Sequence, residues 1–345
     1  MRRAPVECQT SDIDFVVTWV DGSDPAWLER RAAHAGENSV DEPQDFRYRD
    51  WGLLRYWFRA VEANAPWVRK VHLVTCGQTP DWLDVTCPKL NLVNHTDYMP
   101  KEYLPTFSSN SIELGMHRIE GLSERFVYFN DDTYVGSKAQ PEDFFRNGLP
   151  VDLAALNVFC FDESDSTQLC TVRDTGVINK HFKLKEAIAA QRGKWLSPKA
   201  GRYLARTLVL LACPKFPGFV IHHCAQPFLK STFEELWQQE RELLDETCSK
   251  RFRSVNDVNI WLPKEWQLAQ GAFVPACAAD YRSYFVGDVE CARAAAQAVR
   301  TRRFKHLCVN DSMHLSDADF ATASSLVRGA FEEVYDRPSS FEREA

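Results

Sequence analysis

Ile13-Asp14-Phe15-Val16-Val17-Thr18-Trp19-Val20-Asp21-Gly22-Ser23-Asp24-Pro25 is the stretch on which the reading of the fold turns. Its first eight residues are rich in β-branched and aromatic side chains, and turn formers follow at once. Asp24 is a good N-cap and Pro25 suits the first helical position, so the run reads as strand, tight loop and helix start. In α/β proteins such a loop, passing from a strand end to a helix start, is where anions and nucleotides bind.

Working outward, the alternation repeats. Leu54, Trp57, Phe58, Val61 and Ala65 recur at helical spacing and predict an amphipathic helix over Trp51–Asn64. Val71–Thr75 is the next strand, a short helix follows around Trp82, and Leu90–Asn94 is a third strand. This order argues for a mainly parallel, helix-covered sheet. Caps in Thr106-Phe107-Ser108-Ser109 introduce a helix predicted through Ile119, with Glu113 and His117 sharing a face at i, i+4. Arg125–Phe129 is a strand that runs straight into Asn130-Asp131-Asp132. Beyond Pro150 the expectations are a strand over Leu153–Phe161, a polar loop over Asp162–Thr167, and a largely helical C-terminal half. That half contains a capping box at Ser231-x-x-Glu234, a helix over Val255–Gln270, and a covering helix with a charged tail from about Leu315.

Composition sets the bounds. With 345 residues, 45% apolar and 26% charged, the chain is long enough for a full core and has ordinary globular character. The net charge of -7, without a contiguous basic run, disfavours nucleic acid as a partner. The N-terminus lacks the apolar segment of a secretory signal. No stretch approaches the roughly 18 apolar residues that span a bilayer; the best candidate, Leu208–Cys213, is stopped by Pro214 and Pro217. The expected location is the cytoplasm, with peripheral association at the inner face of the membrane left open. Eleven cysteines, an odd number without Cys-x-x-Cys spacing, read as reduced thiols rather than a disulfide scaffold or a zinc site.

Asn130-Asp131-Asp132 is the sharpest chemical signal. Two adjacent carboxylates at the end of an apolar strand are costly unless something positive joins them, and a hard divalent cation does so. Adjacent acids are also common in plain surface turns. Asp21 and Asp24 lie in the first strand-to-helix loop, either as turn former and cap or as ligand-facing groups. Glu113 and His117 read as a solvated pair or as site residues, and Arg49-Asp50 as a cap for the Trp51 helix or as part of a site. In His222-His223 and Arg251-Phe252-Arg253 the sequence offers a proton carrier and a planar phosphate clamp, beside the plainer reading of surface histidines and a basic helix end.

These pieces, in this order, resemble the Stealth family, which includes bacterial hexose-1-phosphate transferases of capsular polysaccharide and the animal N-acetylglucosamine-1-phosphotransferase. Four blocks carry the resemblance: IDFVVTWVDGSD from Ile13 to Asp24; a long block from Arg47 to Asp132; HCAQPFLKS and RFRSVND between His223 and Asp257; and Cys308-Val309-Asn310-Asp311. Departures are Trp51-Gly52-Leu53, where acidic residues are frequent, and Glu120 in place of a usual proline. The segment between Pro150 and His222 matches poorly.

The resemblance implies a Rossmann-like core with helices on both faces, a nucleotide-sugar donor that is UDP-linked, a glycan acceptor, and Mg2+ or Mn2+. It implies one catalytic domain over 12–315, with a nucleotide-sugar part at 12–160, a variable segment at 161–222 and a helical part at 223–315, then a helix and tail at 316–345. Carried over by motif, His223 is the catalytic histidine, Arg253 the phosphate-facing arginine and Glu113 an active-site carboxylate. Asp131, Asp132 and Asp311 are metal candidates, with Asp132 also in the catalytic set. Asp21, Gly22, Asp24, Arg49, Asp50, His117 and Arg118 are donor-side candidates. The expected reaction transfers a sugar 1-phosphate and releases UMP. Its rivals are a metal-dependent glycosyltransferase that releases UDP, and a non-catalytic glycan-binding component of an assembly complex.

Overall fold

The computed structural model describes residues 12–34, 48–160 and 166–344. The first sheet contains β1 (Ile13–Thr18), β2 (Val71–Thr75), β3 (Leu90–Asn94) and β4 (Arg125–Asn130), all parallel, and is closed by an antiparallel strand, Gln226–Leu229. The order is β3-β2-β1-β4 and then Gln226–Leu229. The chain therefore moves outward from β1 to β3 and then crosses back to β4. That reversal makes the β1/β4 boundary the switch point, where loops at strand carboxyl ends diverge and leave a crevice.

Alternation along β1 feeds two cores. Phe15 and Val17 pack with Trp57, Phe58 and Phe129 on one face. Val16 packs with Phe126, Tyr128, Phe228 and Trp266 on the other. Both faces of the sheet are thus covered, which is why its strands read as mostly apolar runs, broken by Asp14, His72 and Asn91.

A second sheet was not foreseen. β5 (Thr133–Val135) follows β4 after two residues and pairs antiparallel with His306–Asp311, which in turn pairs parallel with Tyr281–Val286. The last two strands flank the helix Val289–Thr301, which packs against the final helix, Asp317–Val334. A third small sheet joins Phe145–Arg146, Leu149–Asp152 and Val274–Pro275. The C-terminal half is otherwise helical.

Several expected boundaries move, each for a local reason. The helix expected from Trp51 begins at Leu54, because Gly52 sits at φ +67° and its N–H is taken by the Asp50 carboxylate at 2.7 Å. The helix expected through Ile119 ends at Leu114 and resumes as a 3-10 turn over Met116–Arg118, so Glu113 and His117 do not share a helix face. The break is at Gly115, where a Cβ would press on the Tyr98 ring at 3.1 Å. The strand expected over Leu153–Phe161 is instead Leu149–Asp152, with only a bridge from Leu156 to Phe219 beyond it. Most of the loop expected over Asp162–Thr167 lies outside the described residues, and Ser166 and Thr167 open the helix Ser166–His181. Ser231 does not cap a helix. The helix Lys230–Gln239 starts one residue earlier, and the Ser231 N–H turns to Glu124. The helix expected from Val255 begins only at Trp261.

Candidate active site

β1 and β4 deliver the first two loops to the crevice. In the β1 loop, Asp21 Oδ1 accepts the N–H and hydroxyl of Ser23 at 2.9 and 2.6 Å. Asp24 caps the helix Pro25–Ala33 by accepting from Ala26 N–H, and its second oxygen takes Gln78 Nε2 at 2.8 Å. Gln78, in the turn after β2, also exchanges hydrogen bonds with the backbone of Asp21. One side chain that the sequence reading passed over thus ties two loop ends together. Gly22 is required by its neighbour: a Cβ there would lie 2.5 Å from the Tyr48 carbonyl oxygen. Gly22→Ala is expected to displace the loop and cost about 1–3 kcal/mol of stability, read as a lower urea midpoint. An unchanged midpoint would show that the Tyr48 contact does not set the loop.

Asn130 ends β4, and Asp131-Asp132 form the two-residue joint between the first and second sheets. Tyr128, two residues earlier and so on the same side of β4 as Asn130, donates its hydroxyl to Glu113 at 2.9 Å and meets Asn130 and Thr18. Antiparallel pairing of Tyr128 with Gln226, carried three residues further, brings His223 beside the acidic loop. His223 Nε2 lies 3.1 Å from Asp132 Oδ2 and 3.3 Å from Asn130 Nδ2. Its carbonyl accepts from Ser283 of the second sheet at 3.1 Å. His222, one residue earlier, points away and packs between the Tyr203 and Tyr281 rings.

Arg253 arrives on a loop built by Asp257. That buried carboxylate accepts Ser254 N–H, Lys250 Nζ and Asn110 Nδ2, fixing the loop against the helix Ser109–Leu114. Phe252 stacks on Phe107 from the same side. Arg253 Nη2 then donates to Ser109 at 2.6 Å, one helical turn from Glu113.

The electrostatics bind these groups into one unit. Burial pushes the Glu113 carboxyl up, opposed by the Arg253 charge, the Tyr128 hydroxyl and the His223 charge. Burial opposes charge on His223, but the Asp132 carboxylate and Glu113 outweigh it, so the imidazole holds its proton above the usual range. Protein around the loop and then the neighbouring Asp132 charge raise Asp131 to about 7. Because the Asp131 side chain opens to solvent, water weakens the first of those effects and leaves the acid–acid repulsion as the firmer cause.

Asp132 uses its two oxygens differently. Oδ2 meets His223 and the Cys308 thiol, at 3.1 and 3.8 Å, whereas Oδ1 is buried and has no hydrogen-bond partner. An orphaned buried carboxylate oxygen beside a second, solvent-facing carboxylate is a donor set suited to a hard divalent cation. Asp132, His223 and Cys308 also place ligand atoms within 4.8 Å of one another. Cys308 escaped the sequence reading. Its signal lay in the block that supplied Asp311, because the register of His306–Asp311 against β5 sets Cys308 opposite Thr133.

Other candidates have partners of their own. Asp311 is held by Arg49, with Nε and Nη2 on its two oxygens at 3.0 and 3.1 Å, and by Trp51 Nε1 at 3.3 Å. Arg49 also reaches the Leu315 carbonyl and Asp317, so the pair fastens the start of the last helix. Asp50 caps Gly52, and its charge adds to that felt by Asp131. His117 is buried against Phe233 and Trp237, and burial followed by the Arg118 charge lowers it to about 3. Arg118 lies 4.0 Å over the Trp237 ring, in a surface hollow with Tyr103 and Asp245 that is separate from the acidic loop.

Comparison with known proteins adds a family to this geometry. Residues 11–38 match Stealth protein CR1, conserved region 1, and residues 47–151 match Stealth protein CR2, conserved region 2. The chain is 37% identical to the capsular polysaccharide phosphotransferase WcwK of Streptococcus pneumoniae, over 96% of this chain and 99% of that one. It is 38% identical to the receptor polysaccharide phosphotransferase WefC of Streptococcus gordonii, over 96% and 98% of the two chains. With the exopolysaccharide phosphotransferase cps2G of Lactiplantibacillus plantarum it shares 36% identity over 96% of each chain.

Proposed function

This chain belongs to the Stealth family of polysaccharide phosphotransferases, and from that premise we propose that it transfers a sugar 1-phosphate from a UDP-sugar to a glycan hydroxyl. The product is a phosphodiester and the leaving group is UMP. The phosphotransfer serves capsular or exopolysaccharide biosynthesis, and a nucleotide-sugar donor puts the reaction on the cytoplasmic side. The observation that carries the reading is the convergence of Asp132, His223, Glu113 and Arg253 at the β1/β4 switch point.

Phosphoryl-type displacement asks a protein mainly for positioning and charge neutralisation. The acceptor hydroxyl attacks the sugar-bearing phosphorus, and its proton passes to His223, whose ring Asp132 Oδ2 and Asn130 orient. Arg253 is anchored through one nitrogen on Ser109, which leaves the rest of its planar fork for the oxygens of the transferred phosphate. Glu113, beneath both, offsets the Arg253 charge and the charge that His223 gains with the proton, and it keeps Tyr128 in place. Asp131 and Asp132 would hold Mg2+ or Mn2+, which supplies charge neutralisation of the donor diphosphate. The β1 loop around Asp21 and Gly22 receives the nucleotide.

A donor carrying label in the sugar-proximal phosphate tests the reading. The label is expected in the glycan product, with UMP accumulating in equal amount. Label retained on released UDP would mean that the anomeric C–O bond breaks instead, and the chain would then be a glycosyltransferase.

A further inference from the structure

The stretch Leu208–Cys213, the most apolar run in the sequence, lies at the end of the helix Tyr203–Leu210 and in the turn after it. That helix buries Tyr203 and Thr207 and turns its other side outward. Val209 is 73% exposed, more than any other large apolar side chain among the described residues, and Leu208 is 51% exposed. Helical spacing sets Val209 beside Arg202, Ala205 and Arg206 on the outer face, with Leu208 adjoining. Arg206 donates to Asn157 and Arg202 to Tyr203, and neither has an acidic partner among the described residues. Lys199, just before the helix, and Lys215, just after it, are exposed and have no acidic partner among the described residues. Residues 180–215 carry nine Lys and Arg and a single acid, Glu186, in a chain whose net charge is -7; of the nine, Lys180 and Lys183 pair with Glu240 and Glu186.

We propose that the outer face of Tyr203–Leu210, with its Lys199 and Lys215 flanks, docks the protein onto an anionic bilayer surface. Exposed aliphatic side chains ringed by unneutralised Arg and Lys match a leaflet whose headgroups are negative and whose acyl boundary is apolar. A soluble polyanion would use the cations but would gain nothing from Val209 and Leu208. No helix among the described residues is long and apolar enough to cross a membrane, so the contact lies in the interface plane. The basic residues are spread through the segment, which is why a search for a contiguous basic run overlooks them. This inference is independent of the transfer chemistry.

Vesicle flotation with the full chain tests it, using phosphatidylcholine vesicles with and without phosphatidylglycerol at low and high salt. The wild type is expected to float with phosphatidylglycerol vesicles, to weaken as salt rises, and not to float with phosphatidylcholine alone. Each basic residue near an anionic surface contributes about fivefold to partitioning, so Arg202→Glu with Arg206→Glu should lower it about 25-fold or more. Val209→Asp should lower it about tenfold or more, by the transfer value of a buried valine side chain. Both variants change exposed positions outside the proposed active site, so melting temperature and turnover on a soluble acceptor should stay at wild-type values. A wild type that does not float, or that floats equally without phosphatidylglycerol, overturns the proposal. So does loss in the arginine variant with none in Val209→Asp, which would identify a site for soluble polyanions.

Discussion

His223→Asn is expected to lower turnover by about 100- to 10,000-fold, the usual range for losing a general base, while donor affinity stays near its wild-type value. Asparagine retains a polar group beside Asp132 and Asn130 but cannot carry a proton away. The side chain is only partly buried, at 25% exposure, and the structural bond to Ser283 is made by its backbone carbonyl, which the substitution leaves in place. Stability should therefore hold, and a urea midpoint equal to wild type would confirm that the loss is chemical. Single-turnover kinetics with saturating donor give the rate, and equilibrium binding gives the affinity. A variant that turns over at near wild-type rate would remove His223 from the proton-transfer role. One that loses donor binding as well as rate would show that the imidazole holds the donor rather than the acceptor proton.

The four parallel strands of the central sheet were legible because they are largely buried and turn or cap chemistry follows them, β1 by Asp21 to Pro25, β2 by Gly77 and β4 by the acidic loop, whereas the antiparallel strand Gln226–Leu229 was not read. The second sheet was not. Tyr281–Val286 mixes half-exposed and exposed side chains, and short strands of that kind carry no clear period. Its central strand pairs with β5 across about 170 residues, a register that no local pattern encodes. The late start of the helix at Trp261 has a local cause that spacing hides. Asp257 and Asn259 spend their side chains on the backbone N–H groups of Ser254 and Trp261, offering the chain an alternative to helix. Within the site, Asp131 and Asp132 stood out as adjacent acids. His223 and Asp132 are 91 residues apart, and their pairing was reachable only through the family resemblance. Cys308 and Tyr128 were reachable through strand register once the pairing was known, since both sit at set offsets from residues already suspected.

At the opposite end of β1, Asp14→Ala is expected to cost about 3–5 kcal/mol, the range for removing one partner of a buried ion pair. Asp14 is fully buried, and its two oxygens serve four groups: Arg69 through Nε and Nη2, His72 Nε2 at 3.0 Å, and the Ser123 N–H at 2.8 Å. His72 passes the network to Asn91 of β3, so one carboxylate knits β1, β2 and β3 to the turn before β4. Alanine would strand a buried imidazole and a backbone N–H as well as freeing the guanidinium, and unpaired buried donors are expensive. Burial alone would raise this carboxyl. The hydrogen bonds from His72 and Arg69, the His72 charge and the Ser123 N–H prevail, and they hold it below the usual aspartate range. A carboxyl with a depressed folded value binds fewer protons in the folded chain than in the unfolded one, so its contribution is complete above the unfolded value and disappears as pH falls through the folded one. The gap between wild type and Asp14→Ala in urea midpoint should therefore be widest near neutrality and shrink only below about pH 4. Because Asp14 lies at the amino end of β1 and the acidic loop lies beyond the carboxyl end of β4, residual folded variant should retain its turnover per folded molecule. Equal midpoints for the two proteins at pH 7 would show that the network is energetically idle.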